Sequence, residues 1–251
     1  MSAPEQDGFA YRFAWGAEGA AALAPHVAVL VVVDVLRFTS AVSAAVEAGA
    51  SVVPAGWGRD AEAAALAAAR GALLAGRRED GGASLSPTDL LTLRAGTRVV
   101  LPSPNGAAIA ARLAAMPGAP AVLAGCLRNA PATARRAREL SAGAPIGIVA
   151  AGERWPDGSL RPAVEDLLGA GAILAALDPS GAVSAPCCSP DAAAARAAFV
   201  AARPLIEEHV LGSTSGRQLV ELNCADDVHT ASALDVTDRA AQLVDGAFVG
   251  V

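Results

Sequence analysis

The chain has 251 residues, of which 53% are hydrophobic and 18% charged, a composition that favours a packed core and excludes extensive disorder. Its net charge of -6 argues against nucleic-acid binding, which usually needs a basic stripe. All 19 positively charged residues are Arg and none is Lys, which excludes Schiff-base lysines and the lysine of P-loop NTPases.

The predicted elements alternate between short apolar strands and Ala-rich helices. The first is a strand over residues 27–33 that ends at Asp34, followed by a helix to about Ala48. This strand is the longest apolar one and is far too short to span a bilayer, so no membrane insertion is expected. The remaining predicted strands cover residues 52–53, 98–101, 121–124, 146–150, 242–244 and 247–249. The remaining predicted helices cover residues 60–75, 131–140, 162–177, 191–211, 215–222 and 225–233, with one more ending near residue 115.

This alternation indicates an α/β fold with a mostly parallel sheet covered on both faces. No Ser/Gly-rich linker divides the chain, so residues 1–251 are predicted to form one compact unit. The dipeptide Asp245-Gly246 predicts a two-residue turn in a C-terminal hairpin. Residues 77–87, rich in charge and Gly, are predicted to form a mobile loop.

The four Cys residues, at positions 126, 187, 188 and 224, contain no C-x-x-C pair, and the sequence predicts no signal peptide. We therefore expect free thiols in a reducing cytoplasm. The three His residues lack zinc-ligand spacing and are expected to be structural or exposed.

Polar side chains follow four of the predicted strands. In open α/β sheets the carboxyl ends of the strands face helix N-termini, which favour anions. The sequence therefore predicts a site for a small phosphorylated anion at these loops. The side chains concerned are Asp34, Arg37, Thr39 and Ser40; Ser103, Asn105 and Gly106; Arg128 and Asn129; and Glu153, Arg154 and Arg161, with Glu165 and Asp166 one helical turn further on.

Asp34 is the strongest candidate, because a carboxylate at the end of an all-apolar strand is costly to bury unless it is paired or metal-bound. The alternative is that Asp34 caps the next helix or pairs with Arg37. Thr39 and Ser40 can likewise cap that helix or bind phosphate. Residues 103–106 form either an ordinary turn or an oxyanion nest.

The carboxylates that follow the fourth strand are candidate metal ligands. Glu153, Glu165 and Asp166 could join Asp34 in binding a hard divalent cation through oxygen. The alternative for Glu165 and Asp166 is the favourable effect of acidic residues in the first turn of a helix.

Several phosphatase classes are excluded by their missing motifs. No Cys is followed six positions later by Arg, so the cysteine-phosphatase loop is absent. Asp34-Val35-Leu36 lacks the D-x-D start of haloacid-dehalogenase-type phosphatases, and no G-x-S-x-G elbow occurs.

Several segments together resemble the 2-phosphosulfolactate phosphatase family. They are V-V-V-D-V-L-R-F-T-S-A-V (31–42), P-N-G (104–106), G-C-L-R-N-A (125–130), A-G-E-R-W-x-D-G-S-L-R-P-A-V-E-D-L-L-G-A-G-A-I (151–173), S-G-R-Q-L-x-E (215–221) and A-D-D-V (225–228). The resemblance implies a three-layer α/β/α fold with two similar halves, roughly residues 1–118 and 119–251. It also implies a Mg²⁺-dependent hydrolysis of 2-phosphosulfolactate to 3-sulfolactate and phosphate, a step of coenzyme M synthesis.

The resemblance and the loop chemistry together assign roles to these residues. We expect Asp34, Arg37 and Glu153 to be catalytic, and Asp34, Glu153, Glu165 and Asp166 to bind Mg²⁺. The residues expected to bind the substrate are Thr39, Ser40, Ser103, Asn105, Gly106, Arg128, Asn129, Arg154 and Arg161. Whether water attacks directly or Asp34 is phosphorylated stays open, as does a homo-oligomer.

Three departures from the family pattern bear on the substrate. Relatives resemble G-F-x-x-G-N-S-P where this chain has residues 81–87, a Thr-rich approach to the Asn-Gly turn is replaced by Pro102-Ser103-Pro104, and Ser215 replaces a His. A phosphatase of the same fold acting on another small phosphorylated hydroxy-acid or sugar is the first alternative. A non-catalytic sensor of a small anion is the second.

Overall fold

Residues 6–56, 60–179 and 187–251 are described by a computed structural model. The strands are β1 Tyr11–Trp15, β2 Val29–Val33, β3 Ser51–Gly56, β4 Leu73–Leu74, β5 Arg98–Ser103, β6 Ala121–Gly125, β7 Ile146–Ala150, β8 Glu153–Arg154, β9 Leu160–Arg161, β10 Ala241–Val244 and β11 Ala247–Gly250. The α-helices are α1 Gly16–Leu23, α2 Phe38–Glu47, α3 Asp60–Arg70, α4 Pro87–Leu90, α5 Gly106–Ala114, α6 Ala130–Ser141, α7 Val164–Leu177, α8 Pro190–Ala202, α9 Ile206–Gly212, α10 Thr214–Glu221 and α11 Ala225–Ser232.

One nine-stranded sheet contains all strands but β8 and β9, in the order β1-β7-β2-β6-β10-β11-β3-β5-β4. Strands β1, β7, β2 and β6 form one parallel group, and β3, β5 and β4 form another. The C-terminal hairpin β10–β11 lies between them and pairs antiparallel with β6 on one side and β3 on the other. The two parallel groups therefore run in opposite directions, and the predicted α/β fold with a mostly parallel sheet is confirmed.

The central strand β2 is apolar throughout because helices cover both of its faces. Val29, Val31 and Val33 pack into one hydrophobic cluster with α6, α7 and α8. Leu30 and Val32 point the other way and pack with α1, α2 and α5. Side chains alternate along a strand, so a strand buried on both sides must be apolar at every position. The result is three layers, helix–sheet–helix, around this part of the sheet.

Strands from the two predicted halves alternate within the sheet. Strand β2 lies between β7 and β6, and β1 lies beyond β7, so strands from before and after residue 118 are interleaved. The similarity of residues 1–118 to residues 119–251 and their grouping into one unit stay predictions.

Several predicted boundaries were wrong. The helix predicted over residues 60–75 ends at Arg70, and Leu73–Leu74 instead pairs with β5. The helix predicted over residues 191–211 is interrupted by a 3₁₀ turn at Arg203–Leu205, because Pro204 lacks the N–H that a continuous helix needs.

The loop predicted to be mobile, residues 77–87, is largely exposed over residues 77–82 and packs against the protein over residues 84–87. Ser84 and Ser86 in it are buried, and Ser86 caps α4 by accepting the Asp89 N–H at 3.1 Å. Among the described residues, no helix has both the length and the apolar character that crossing a membrane requires.

Candidate active site

Two helix N-termini point at the carboxylate of Asp34, which directly follows β2. Oδ2 accepts the N–H of Gly106 at 2.8 Å, and Oδ1 accepts the N–H of Phe38 at 3.1 Å. Gly106 and Phe38 are the first residues of α5 and α2, where backbone N–H groups lack partners within their helices. Asp34 is only 4% exposed, so these two donors satisfy a buried carboxylate that water does not solvate.

The hydroxyl groups of Thr39 and Ser40 bind the backbone of the Asp34 loop. Thr39 Oγ1 accepts the Asp34 N–H at 2.9 Å and donates to the Asp34 carbonyl at 2.8 Å. Ser40 Oγ donates to the Val35 carbonyl at 2.7 Å. Both hydroxyl groups therefore satisfy the backbone of a buried loop, and neither caps the first turn of α2.

Asp166 holds the ends of β2 and β7 together. One of its oxygens accepts the N–H of Val35 at 2.7 Å and the other accepts the N–H of Gly152 at 2.9 Å. Because these two residues follow neighbouring strands, the buried carboxylate fixes the loops that carry Asp34 and Glu153.

The Asn105-Gly106 turn connects the two predicted catalytic carboxylates. Asn105 Nδ2 donates to Glu153 Oε2 at 3.0 Å, while the next residue, Gly106, donates to Asp34. Ser103 lies just before this turn, with its Oγ 3.5 Å from the Asn105 nitrogen. The turn follows β5, which belongs to the other parallel group, so the site combines loops from both groups rather than from one edge of a single parallel sheet. The Gly106 N–H, predicted to bind substrate, is instead used by Asp34.

Glu165 is the least satisfied of the four acidic side chains. It is 2% exposed, and its carboxylate has no hydrogen bond or ion pair to any other residue that the structure describes. Burying an unpaired carboxylate is costly, so a positively charged partner would be strongly stabilising here.

Burial, and after it neighbouring negative charge, raises the pKa of Asp34, Glu153 and Asp166. The pKa of Asp34 is raised to about 7, mainly by burial and further by the charges of Glu153 and Glu165, while the N–H groups of Gly106 and Phe38 oppose the rise. Burial also raises the pKa of Glu153, and the Asn105 amide and the Arg161 charge oppose it. The pKa of Asp166 is raised well above its ordinary value by burial, Asp34 and Glu165. These mutual effects indicate one group of neighbouring carboxylates, which we call the acidic group: Asp34, Glu153, Glu165 and Asp166.

The carboxylates of the acidic group have the chemistry of Mg²⁺ ligands, but they would need further ligands from water or substrate. Within residues 6–56, 60–179 and 187–251, no three His, Cys, Asp or Glu side chains are arranged to hold a metal ion by themselves. Mg²⁺ is commonly bound by one or two carboxylates, with waters and substrate phosphate as the other ligands. Glu165 is the best candidate because it lacks a partner, and Asp34 and Glu153 are its acidic neighbours. Asp166 fits less well, because both of its oxygens already accept backbone N–H groups.

Two of the predicted Arg residues lie beside the acidic group or its loops. Arg161 is the cross-strand partner of Glu153, with Nη2 3.3 Å from Ser215 Oγ and its guanidinium 5.9 Å from the ring centre of Trp155. Arg37 directly precedes Phe38, and its Nη1 is 2.6 Å from Asp227 Oδ2.

Three other predicted substrate-binding residues form their hydrogen bonds outside the acidic group. Arg154 is exposed and donates to the Gly158 carbonyl of its own hairpin at 3.0 Å. The buried Arg128 donates to Glu47 at 2.7 Å and to the Thr230 carbonyl at 2.9 Å. Asn129 accepts the Cys126 N–H at 2.9 Å and donates to the Ala124 carbonyl at 3.2 Å. These contacts place Arg128 and Asn129 in the packing around the β6 loop, where buried polar groups need partners, rather than in the acidic group.

Two parts of the site were not predicted from the sequence. Asp227, which is fully buried on α11, pairs with Arg37, and the only sequence signal for it was the A-D-D-V segment. A cleft of about 230 Å³ opens beside Asn105 and Glu153, and its walls include Trp15 and Gly16 from β1 and α1, two elements that were not predicted.

Comparison with known proteins identifies the family. The sequence model of a family described as 2-phosphosulpholactate phosphatase matches residues 19–246. The chain belongs to the 2-phosphosulfolactate phosphatase family. It is 31% identical over 222 residues to a 2-phosphosulfolactate phosphatase of Methanothermobacter thermautotrophicus (strain Delta H), with 86% of this chain and 87% of the relative covered. The matched region contains the whole acidic group, the Asn105-Gly106 turn and Asp227.

Gly106→Ala should severely impair this member of the 2-phosphosulfolactate phosphatase family. The added Cβ would lie 2.7 Å from Cβ and Oδ2 of Asp34 and 2.8 Å from Phe38 Cδ1, so Asp34 or α5 would have to move. A displacement of a catalytic group by about 1 Å can cost about 100-fold in turnover. Gly212→Ala is the matched control, because nothing lies within 4 Å of its added Cβ. Full phosphate release by Gly106→Ala in steady-state assays would contradict the close contact.

With divalent cations removed by a chelator, thermal stability should fall as the pH rises from about 4 to about 7. The folded chain keeps the Asp34 proton up to a pKa of about 7, whereas the ordinary pKa is 3.8, so the folded state binds more protons between these values. Stability is then lost as the pH rises through this window. The raised pKa values of Glu153 and Asp166 act in the same direction. In Asp34→Asn this group cannot titrate, so the melting temperature should fall less steeply with pH than in wild type. Identical slopes of melting temperature against pH would contradict the burial of a titrating Asp34.

Proposed function

We propose that this chain is a Mg²⁺-dependent phosphatase that hydrolyses 2-phosphosulfolactate to 3-sulfolactate and phosphate. The observation that carries the proposal is the acidic group, in which Asp34 is held by the N-termini of two helices beside an unpaired, buried Glu165. Family membership and the similarity to the 2-phosphosulfolactate phosphatase of Methanothermobacter thermautotrophicus support the substrate. The place of this reaction in coenzyme M synthesis and a cytoplasmic location belong to the same proposal.

The acidic group gives the metal part of the proposal its physical basis. A bound Mg²⁺ would offset the negative charge of Asp34, Glu153 and Glu165 and polarise the phosphate oxygens of the substrate. Without such a cation, a substrate that is itself an anion would meet a group of carboxylates, and repulsion would oppose binding.

Asp34 is the residue best prepared to act at the phosphorus atom. Its two backbone hydrogen bonds fix the orientation of the carboxylate before substrate arrives, so little reorganisation is needed during the reaction. Net hydrolysis adds water across the P–O ester bond: a water-derived oxygen bonds to phosphorus, the ester P–O bond breaks, and the leaving oxygen of sulfolactate gains a proton to balance the one that water loses. Glu153 is suited to supply it, because its raised pKa favours the protonated form and Asn105 holds its carboxyl group in place.

The guanidinium groups account for recognition of the anionic substrate. Arg37 uses Nη1 for Asp227, which leaves its Nε and Nη2 donors for a phosphate oxygen. Arg161, opposite Glu153 on the β8–β9 hairpin, can bind the carboxylate or sulfonate end. The two residues thus supply positive charge to a substrate with three acidic groups.

One contact favours the alternative of another phosphorylated hydroxy-acid as substrate. Ser215, which replaces the His of the family pattern, lies 3.3 Å from Arg161 Nη2. Ser215 therefore contacts an Arg that we assign to the non-phosphate part of the substrate. Replacing His by Ser at this position would change the preference for that part of the substrate rather than the hydrolysis of the phosphate ester. A non-catalytic anion sensor would not need a buried acidic group.

A phosphate-release assay tests both the proposed substrate and the alternative one. The panel includes 2-phosphosulfolactate, other phosphorylated hydroxy-acids and sugar phosphates. We expect turnover that EDTA abolishes and added Mg²⁺ restores, with 2-phosphosulfolactate as the best substrate. Asp34→Asn should lower turnover by about 10²–10³-fold. Glu139→Gln, at an exposed position on α6, is the matched control and should keep normal turnover. Full activity in EDTA, or in Asp34→Asn, would contradict the proposed function.

A further inference from the structure

The buried carboxylate of Asp227 joins three segments that are distant in the sequence. Its Oδ2 lies 2.6 Å from Nη1 of Arg37, and its Oδ1 accepts a hydrogen bond from the hydroxyl of Ser86. Nη1 of Arg78 lies 3.7 Å from the same Oδ2. Asp227 itself is fully buried, so it cannot contact a substrate directly. Any effect it has on the reaction must pass through the side chains it holds.

Arg37 is the partner through which Asp227 can affect the acidic group. Its backbone adjoins Phe38, whose N–H binds Asp34, so the base of the side chain is already fixed next to the site. The rest of the side chain is 21% exposed, and its Nε and Nη2 have no hydrogen bond to any residue that the structure describes. One end of the guanidinium is therefore anchored, while the other remains available.

Anchoring matters because a free Arg side chain has considerable rotamer entropy that substrate binding would otherwise remove. The planar guanidinium can engage two partners at once, and the ion pair with Asp227 fixes the plane in which its remaining N–H groups lie. Ser86, in turn, holds Asp227 from the opposite side, so the carboxylate cannot turn freely.

We propose that Asp227 is a positioning residue that orients Arg37 for the phosphate oxygens of the substrate, with Ser86 holding Asp227 in place. This proposal rests on the proposed phosphatase function. It assigns α11 and the segment before α4 to substrate recognition, although neither contributes a side chain to the acidic group.

A double-mutant cycle with Arg37→Ala separates positioning from a purely structural role. Asp227→Asn should lower kcat/KM by about 10- to 100-fold, the usual effect of removing a residue that orients a ligand-binding side chain. In the Arg37→Ala background the same substitution should have no further effect on kcat/KM, because its target is gone. Thermal melting of each variant monitors folding.

Asp226→Asn is the matched control, because it removes the same charge from the neighbouring position of α11. Asp226 pairs with Arg78 and not with Arg37, so this variant should keep kcat/KM within about twofold of wild type. A loss in Asp227→Asn no larger than in Asp226→Asn, or a loss that adds fully to that of Arg37→Ala, would overturn the positioning role.

Binding of inorganic phosphate in the presence of Mg²⁺, measured by calorimetry, separates this proposal from the proposed function. A wild-type protein that binds phosphate but hydrolyses none of the panel substrates would contradict the proposed phosphatase function. Weaker phosphate binding by Asp227→Asn would still support the positioning role of Asp227 in that case. If Asp227→Asn does not fold, Ser86→Ala replaces it, with an expected loss of a few-fold in phosphate affinity. Unchanged affinity in Ser86→Ala would then count against the proposal.

Discussion

The burial of one carboxylate is the constraint on which the site depends. Asp34 follows a strand that helices cover on both faces, so water cannot solvate it and the protein must supply its partners. Two of those partners are the N-termini of α2 and α5, which fix where both helices begin. The neighbouring Glu153 and Glu165 make full ionisation of the group unfavourable in the absence of a cation. Burial, and after it the charges of these two carboxylates, raises the pKa of Asp34. The same excess of negative charge is the reason for the place we give to Mg²⁺ and a phosphate ester.

The site forms because long-range polar contacts join loops that the sheet alone would not bring together. Asp166 joins the ends of β2 and β7, and the Asn105-Gly106 turn reaches Asp34 and Glu153 from the other parallel group. The C-terminal hairpin lies between the two groups, and Phe248 of β11 packs edge-to-face on Phe38, next to the Asp34 loop. The integrity of the site therefore depends on the last residues of the chain as well as on the loops that carry its side chains.

The sequence predicted the parts that local patterns determine. Strand β2, its carboxylate and the helix that follows were found, because an apolar strand that ends in Asp is a strong local signal. The hairpin was found from Asp245-Gly246, but its insertion between the two parallel groups was not, since no local pattern specifies which strands it pairs with. For Thr39, Ser40, Arg128 and Asn129 the residue type matched phosphate binding, yet the contacts are to backbone or to Glu47. A buried loop must satisfy its own polar groups first, and the sequence does not show which loops are buried. Asp227 was missed because its partner, Arg37, is 190 residues away in the chain.

The most direct test of the account is the position of a bound cation. Crystals grown with Mn²⁺ in place of Mg²⁺, together with a phosphate ester or phosphate, would locate the ion by its anomalous scattering. We predict a peak at direct coordination distance, about 2–2.3 Å, from Asp34 or Glu165, with a phosphate oxygen as a further ligand and Arg37 on the same phosphate. A peak away from the acidic group, or a phosphate bound with no cation near Asp34, would contradict it.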